Sequence, residues 1–108
     1  MAEGIKHDGD KSRVDLIDPE FLVDLGEVLK FGARKYAAHN WRGGISFSRI
    51  LGASLRHLLA IMQGEDFDPE SGLRHSAHLA CNVMFLHWMM KNRADLDDRY
   101  SKDKNAGN

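Results

Sequence analysis

The chain holds one cysteine, Cys81, and two prolines among its 108 residues. A single thiol has no intramolecular partner, so a disulfide scaffold is excluded and a reducing compartment fits best. Formal net charge at pH 7 is only -1. No global field attracts a polyanion, no basic stripe marks a nucleic-acid interface, and any phosphate recognition must be local. No apolar run approaches the ~18 residues that suggest a membrane span. The polar N-terminus lacks a signal-peptide core. These absences predict a cytoplasmic protein that binds neither membrane nor nucleic acid. Two nucleotide-binding loops are missing as well, since neither G-x-x-x-x-G-K-[ST] nor G-x-G-x-x-G occurs.

What is present organises into one domain, residues 1–108. A chain this short buries only about two-thirds of its unfolded surface, so oligomerisation is a natural way to bury more. Residues 1–17 read as an extended arm and residues 93–108 as a charged tail that frays. Three helical patterns lie between. The first runs from about Pro19 to His39, with Asp18 as N-cap and Phe21, Leu22, Leu25, Val28, Leu29 and Gly32 on one face. The second runs from about Ser46 to Gln63, capped by Ser46 or Ser48. Its inward face is Ile50, Leu51, Ser54, Leu55, Leu58, Ile61 and Met62, and Gly64 ends it. The third runs from about Leu73 to Asn92 on a stripe of Ala77, Ala80, Cys81, Met84, Phe85 and Trp88. No strand-like alternation of useful length occurs. The expected fold is all-α, a small bundle of three main helices with a short fourth near Ala94 to Tyr100.

The densest chemistry lies in G-E-D-F-D-P-E-S-G-L-R-H-S-A-H, Gly64 to His78. Four carboxylates, Glu65, Asp66, Asp68 and Glu70, precede His75 and His78, which leave one face of the third helix at i, i+3. If the second and third helices are antiparallel, His57 approaches the pair across their interface. The expected ligand set is His57, Glu65, Asp68, Glu70, His75 and His78. Carboxylates suit Mg²⁺ or Mn²⁺, and imidazoles tilt the choice toward Mn²⁺ or a later metal. A lone His-x-x-His pair is more often filler than a ligand pair; the adjacent acids and third histidine are what lift this one. His7-Asp8 spells the dyad of HD phosphohydrolases but stands in a polar, Gly-flanked arm without helical context. Cys81, inside an apolar stretch, reads as core.

Basic and aromatic residues supply a second set. Lys11 and Arg13 precede Asp15; F-G-A-R-K-Y carries Lys35 and Tyr36; H-N-W-R carries Asn40 and Trp41. Arginine forks and lysine point charges suit phosphate oxygens. Trp41 or Tyr36 can stack on a base, and Asn40 can read its edge. Singly, Lys35 and Arg42 read as solvated surface residues. Arg56 sits in the apolar run L-R-H-L-L-A-I-M and calls for a carboxylate or a phosphate as partner.

Taken together, K-S-R-V-D-L-I-D-P-E, F-G-A-R-K-Y, N-W-R-G-G-I, L-R-H-L-L-A and the acidic-histidine block resemble the phage dATP/dGTP diphosphohydrolases, a MazG-like group of all-α nucleotide pyrophosphohydrolases. The resemblance covers roughly Lys11 to Leu86. It implies hydrolysis of a purine deoxynucleoside triphosphate, dGTP especially, between the α- and β-phosphates. Mg²⁺ or Mn²⁺ would be required, and the chain would assemble as a homodimer or homotetramer. One departure stands out: the wider superfamily's E-E-x-x-E and E-x-x-D signature is absent, with histidines where acids are expected. In the mechanism this suggests, the cation activates a water, Arg56, Lys11 or Arg13 offsets developing charge, and Glu65 or Glu70 is the base. Two rivals are a pyrophosphohydrolase of another phosphorylated small molecule and a helical metal-binding adaptor without catalysis.

Overall fold

A computed structural model describes residues 9–101. The His7-Asp8 dyad lies outside the described residues. The all-α expectation holds: three α-helices carry the fold, α1 Pro19–Lys35, α2 Phe47–Met62 and α3 His75–Asn92. Short 3-10 turns occupy Val14–Leu16, Asn40–Gly43 and Ala94–Leu96.

Asp18 starts α1 as its residue type predicts, its Oδ2 accepting the Phe21 N–H at 2.9 Å with Pro19 in the first turn. Such a cap contributes on the order of 1 kcal/mol. The helix ends at Lys35, a turn before the expected His39. Tyr36 leaves helical geometry at φ -121°, and His39 takes a left-handed φ of 62° that reverses the chain into the Asn40–Gly43 turn. Ser46 stands at the N-cap of α2 without a side-chain bond. The first turn of that helix is instead held by Asp98, whose carboxylate accepts from both the backbone N–H and the hydroxyl of Ser48. The expected fourth helix is reduced to the Ala94–Leu96 turn. The segment after α3 is nonetheless tied back to the bundle through Asp98, rather than fraying at Arg93.

Helix α3 is the centre of the fold. It contacts both α1 and α2, which scarcely touch each other. Val28 packs with Ala77 and Cys81 in one buried cluster, and Phe47 and Ile50 pack with Met89 in another. Phe85 joins the two. Each fully buried Phe or Met side chain contributes roughly 1.5–3 kcal/mol by leaving water. The expected inward faces are corrected in part: Phe21 and Leu22 on α1, and Leu55, Leu58 and Met62 on α2, lie exposed. Because α1 and α2 do not close on each other, a cleft of about 1430 Å³ remains, lined by α1, α2, α3 and the Tyr36–Ile45 connection.

Candidate active site

The loop between α2 and α3 is built by its own carboxylates and glycines. Gly64 turns the chain out of α2 with a φ of 91° that an L side chain resists. The Asp68 N–H donates to the Leu73 carbonyl at 2.8 Å, and Phe67 pairs with Arg74 as an antiparallel bridge. Asp68 Oδ1 accepts the Glu70 and Ser71 N–H groups at 2.8 and 3.2 Å, an Asx-type turn. That leaves Oδ2 turned toward His57, 3.9 Å from its Nδ1.

His75 opens α3, its N–H donating to the Asp66 carbonyl at 2.9 Å. This lap of chain replaces the extra turn expected from Leu73, and it drives the His75 ring into the interior, where it is 4 % exposed. Its Nδ1 lies 2.8 Å from His57 Nδ1 and its Nε2 2.7 Å from Glu65 Oε1. His78, one turn on, lies parallel to the His57 ring at 4.8 Å, and its Nε2 is 2.7 Å from the Ser71 hydroxyl. The Ser71 oxygen accepts the Leu73 N–H, so its own proton is free to go to His78.

Burial lowers the pKa of His57 and His78, helped by the mutual repulsion of the clustered imidazoles. Both rings are therefore held neutral, the form a cation requires. Burial alone would raise the Asp68 carboxyl, but the Ser71 and Glu70 N–H groups and the neighbouring histidines outweigh it, and its pKa falls. The site thus offers one ionised carboxylate and, in His57 and His78, neutral imidazoles. Among the described residues, His57, Asp68 and His75 form a group whose donor atoms all lie within 4.8 Å of one another. Two nitrogens and one oxygen fit a divalent cation of the borderline kind, with room left for water or substrate oxygens.

The other expected ligands are placed differently. Glu65 sits behind His75 and does not line the cleft. Glu70 reaches away to Lys35, Oε1 to Nζ 2.7 Å, at the end of α1. His78 lies against His57 without joining the close group. Of the expected substrate residues, Lys35, Tyr36, Asn40 and Trp41 line the cleft. Arg13 and Asp15 are bound to each other in the exposed arm, and neither they nor Lys11 lines the cleft. Arg56 faces the cleft from α2, with no carboxylate partner among the described residues. Trp41 stacks on Phe85 at 4.9 Å, and the Arg42 guanidinium lies 4.5 Å from its ring centre. Trp41 is part-buried, and Tyr36 is the more exposed aromatic of the pair. Arg42 is exposed, as its residue type predicts, and Ser71 is a residue that the sequence pattern does not single out. The first lines the cleft on Trp41, and the second anchors His78. Only their neighbours Trp41 and His78 hinted at them. Cys81 is buried against α1, and burial pushes its thiol up to about 11, so it is core.

The profile of the dATP/dGTP diphosphohydrolase N-terminal family matches residues 1–99. A dATP/dGTP diphosphohydrolase of Salmonella phage PMBT28 is 43% identical over 96 residues, which are 89% of this chain and 33% of the relative. The chain therefore spans about a third of that relative's length. No solved structure matches it. No helix among the described residues is long and apolar enough to cross a membrane.

Proposed function

The chain belongs to the dATP/dGTP diphosphohydrolase family, and from that premise we propose that it hydrolyses a purine deoxynucleoside triphosphate, dGTP or dATP, to the monophosphate and pyrophosphate in the cytoplasm. One observation carries the reading: His57, Asp68 and His75 converge at the wall of a cleft that also presents Lys35 and Arg56. Those donors suit Mn²⁺ better than Mg²⁺, because imidazole prefers the softer ion. When bound there, a divalent cation supplies charge for phosphate oxygens and lowers the pKa of a coordinated water.

The chain's own residues do the rest. Asp68 is held ionised by two backbone N–H groups and His57 is held neutral, so the carboxylate is ready for the ion and His57 need only move its single ring hydrogen from Nδ1 to Nε2. Arg56 projects into the cleft one residue before His57 and is positioned to meet the negative charge that grows on phosphate oxygens. Lys35 shares its charge with Glu70 and releases it to a phosphate if that bond opens. Tyr36, exposed beside it, offers a face to the base. A homodimer or homotetramer is part of the proposal, supported by the exposed run Leu55, Leu58, Leu59 and Met62 on α2. That i, i+3, i+4, i+7 spacing makes a second apolar face on the helix.

Purified protein with dGTP and Mn²⁺ is expected to release pyrophosphate and dGMP, and EDTA is expected to stop the reaction. Orthophosphate as the product, or undiminished turnover in EDTA, would contradict the proposal.

A further inference from the structure

We propose that Glu65 is a positioning residue, whose carboxylate holds the proton of His75 on Nε2 so that the Nδ1 lone pair is kept turned toward His57 and Asp68. The proposal rests on the metal reading above and replaces the expected roles of Glu65 as ligand or base.

The buried His75 ring has one polar neighbour at each nitrogen. Glu65 Oε1 lies 2.7 Å from Nε2, and His57 Nδ1 lies 2.8 Å from Nδ1. An ionised carboxylate only accepts hydrogen bonds, so Nε2 must donate. In a neutral imidazole that leaves Nδ1 bare. Turning the ring over would set carbons against both neighbours and forfeit both contacts in a buried site. The tautomer is therefore fixed by the surroundings. The bare Nδ1 accepts the His57 Nδ1 proton, and the same lone pair would be the one His75 offers to a cation held with His57 and Asp68.

The position of Glu65 fits this role and no nearer one. Its N–H donates to the Ala60 carbonyl at 2.9 Å, which fastens it to the end of α2. His57, Asp68 and His75 all line the cleft, and Glu65 does not. The Glu65 carboxylate stands outside the cleft lining and meets the site through the buried His75 ring. Its bond also joins the end of α2 to the start of α3, which fixes His75 relative to His57. Carboxylates placed behind a ligating histidine in this way typically set metal affinity by about 10–100-fold.

The test compares Glu65→Gln with Glu65→Ala, each checked for helix content by circular dichroism. Long-range ¹H–¹⁵N NMR of the metal-free wild-type chain should show His75 with a protonated Nε2 and a bare Nδ1. Glu65→Gln should keep that pattern, because the amide oxygen still accepts, and should keep most of the Mn²⁺ affinity. Glu65→Ala should lose the fixed tautomer and bind Mn²⁺ about 10–100-fold more weakly. The proposal is overturned by a protonated Nδ1 on His75 in the wild type. Unchanged Mn²⁺ affinity in Glu65→Ala overturns it too, as does a Gln variant that fails as completely as the Ala variant, since that marks Glu65 as a ligand or base. A wild-type chain that binds no Mn²⁺ ends the metal reading, and with it the purpose assigned to the lone pair, whatever the tautomer.

Discussion

His57 on α2 and His75 at the start of α3 bring their Nδ1 atoms to 2.8 Å from each other, across 18 residues of sequence. Two lone pairs aimed at one point are costly unless a proton or a cation sits between them. The Asp68 carboxylate beside them is held ionised by the Glu70 and Ser71 N–H groups. Asp68 and Glu70 should therefore differ sharply on mutation, although they stand two residues apart. Asp68→Ala is expected to weaken Mn²⁺ binding by at least about 10-fold, the lower end of what even indirect partners of a metal site contribute. Glu70→Ala, which removes the exposed bond to Lys35 and the smallest of the charge effects on His78, should change it by less than about 3-fold, since exposed ion pairs contribute little. Isothermal titration of both variants decides this, and equal losses would refute the separation.

Acid should loosen the metal-free fold in a defined window. His57 and His78 have folded pKa values below the ordinary one, while in the unfolded chain they titrate near the usual ~6.5. Above that pH both states are neutral and the full contribution to stability is present. As pH falls below it, the unfolded chain takes up protons that the folded chain refuses, so stability drops until the folded values are passed. Melting temperatures in EDTA should fall as the pH is lowered through about 6.5, and His78→Gln should flatten that part of the curve. A wild-type curve flat over this range would remove the assignment.

Cys81 should be inert in the folded state. Its thiol is 3 % exposed and its pKa is about 11, so almost no thiolate exists at pH 8. A thiol-specific reagent at that pH should label the chain only after denaturation. Rapid labelling of the native protein would show that α1 and α3 part more readily than their packing indicates.

The exposed apolar face of α2 predicts a change of mass. Leu58→Asp or Leu59→Asp places a charge on the Leu55, Leu58, Leu59 and Met62 face without touching the buried Phe47, Ile50 and Met89 cluster. Light scattering should find the wild type as a dimer or tetramer and the variants shifted toward monomer, with helix content retained. A monomeric wild type at micromolar concentration would contradict the homo-oligomer.

The helices were legible because their punctuation is local: Asp18-Pro19 starts α1, and Gly64 ends α2. The end of α1 was not, because nothing in A-A-H-N announces that His39 adopts a left-handed turn. The inward side of α2 was ambiguous for a different reason. The helix carries apolar residues on two faces, and periodicity alone cannot say which one meets α3. The acidic-histidine block stood out by density, yet the direction of each carboxylate depends on hydrogen bonds made only after the loop closes. Asp68 faces the histidines because two backbone N–H groups grip its other oxygen, whereas Glu70 is drawn off by Lys35 from another helix. Trp41 reads as a stacking platform in sequence, and its packing on Phe85 and beside Arg42 emerges only when α3 meets the Asn40–Gly43 turn.

In the proposed site, His57, His75 and Asp68 hold a single divalent cation at the wall of the cleft. Pulsed electron paramagnetic resonance of the protein loaded with one equivalent of Mn²⁺ tests it most directly. ¹⁴N couplings from two histidines are expected, reduced to one in His57→Ala. A spectrum with oxygen ligands alone, unchanged by that substitution, would contradict it.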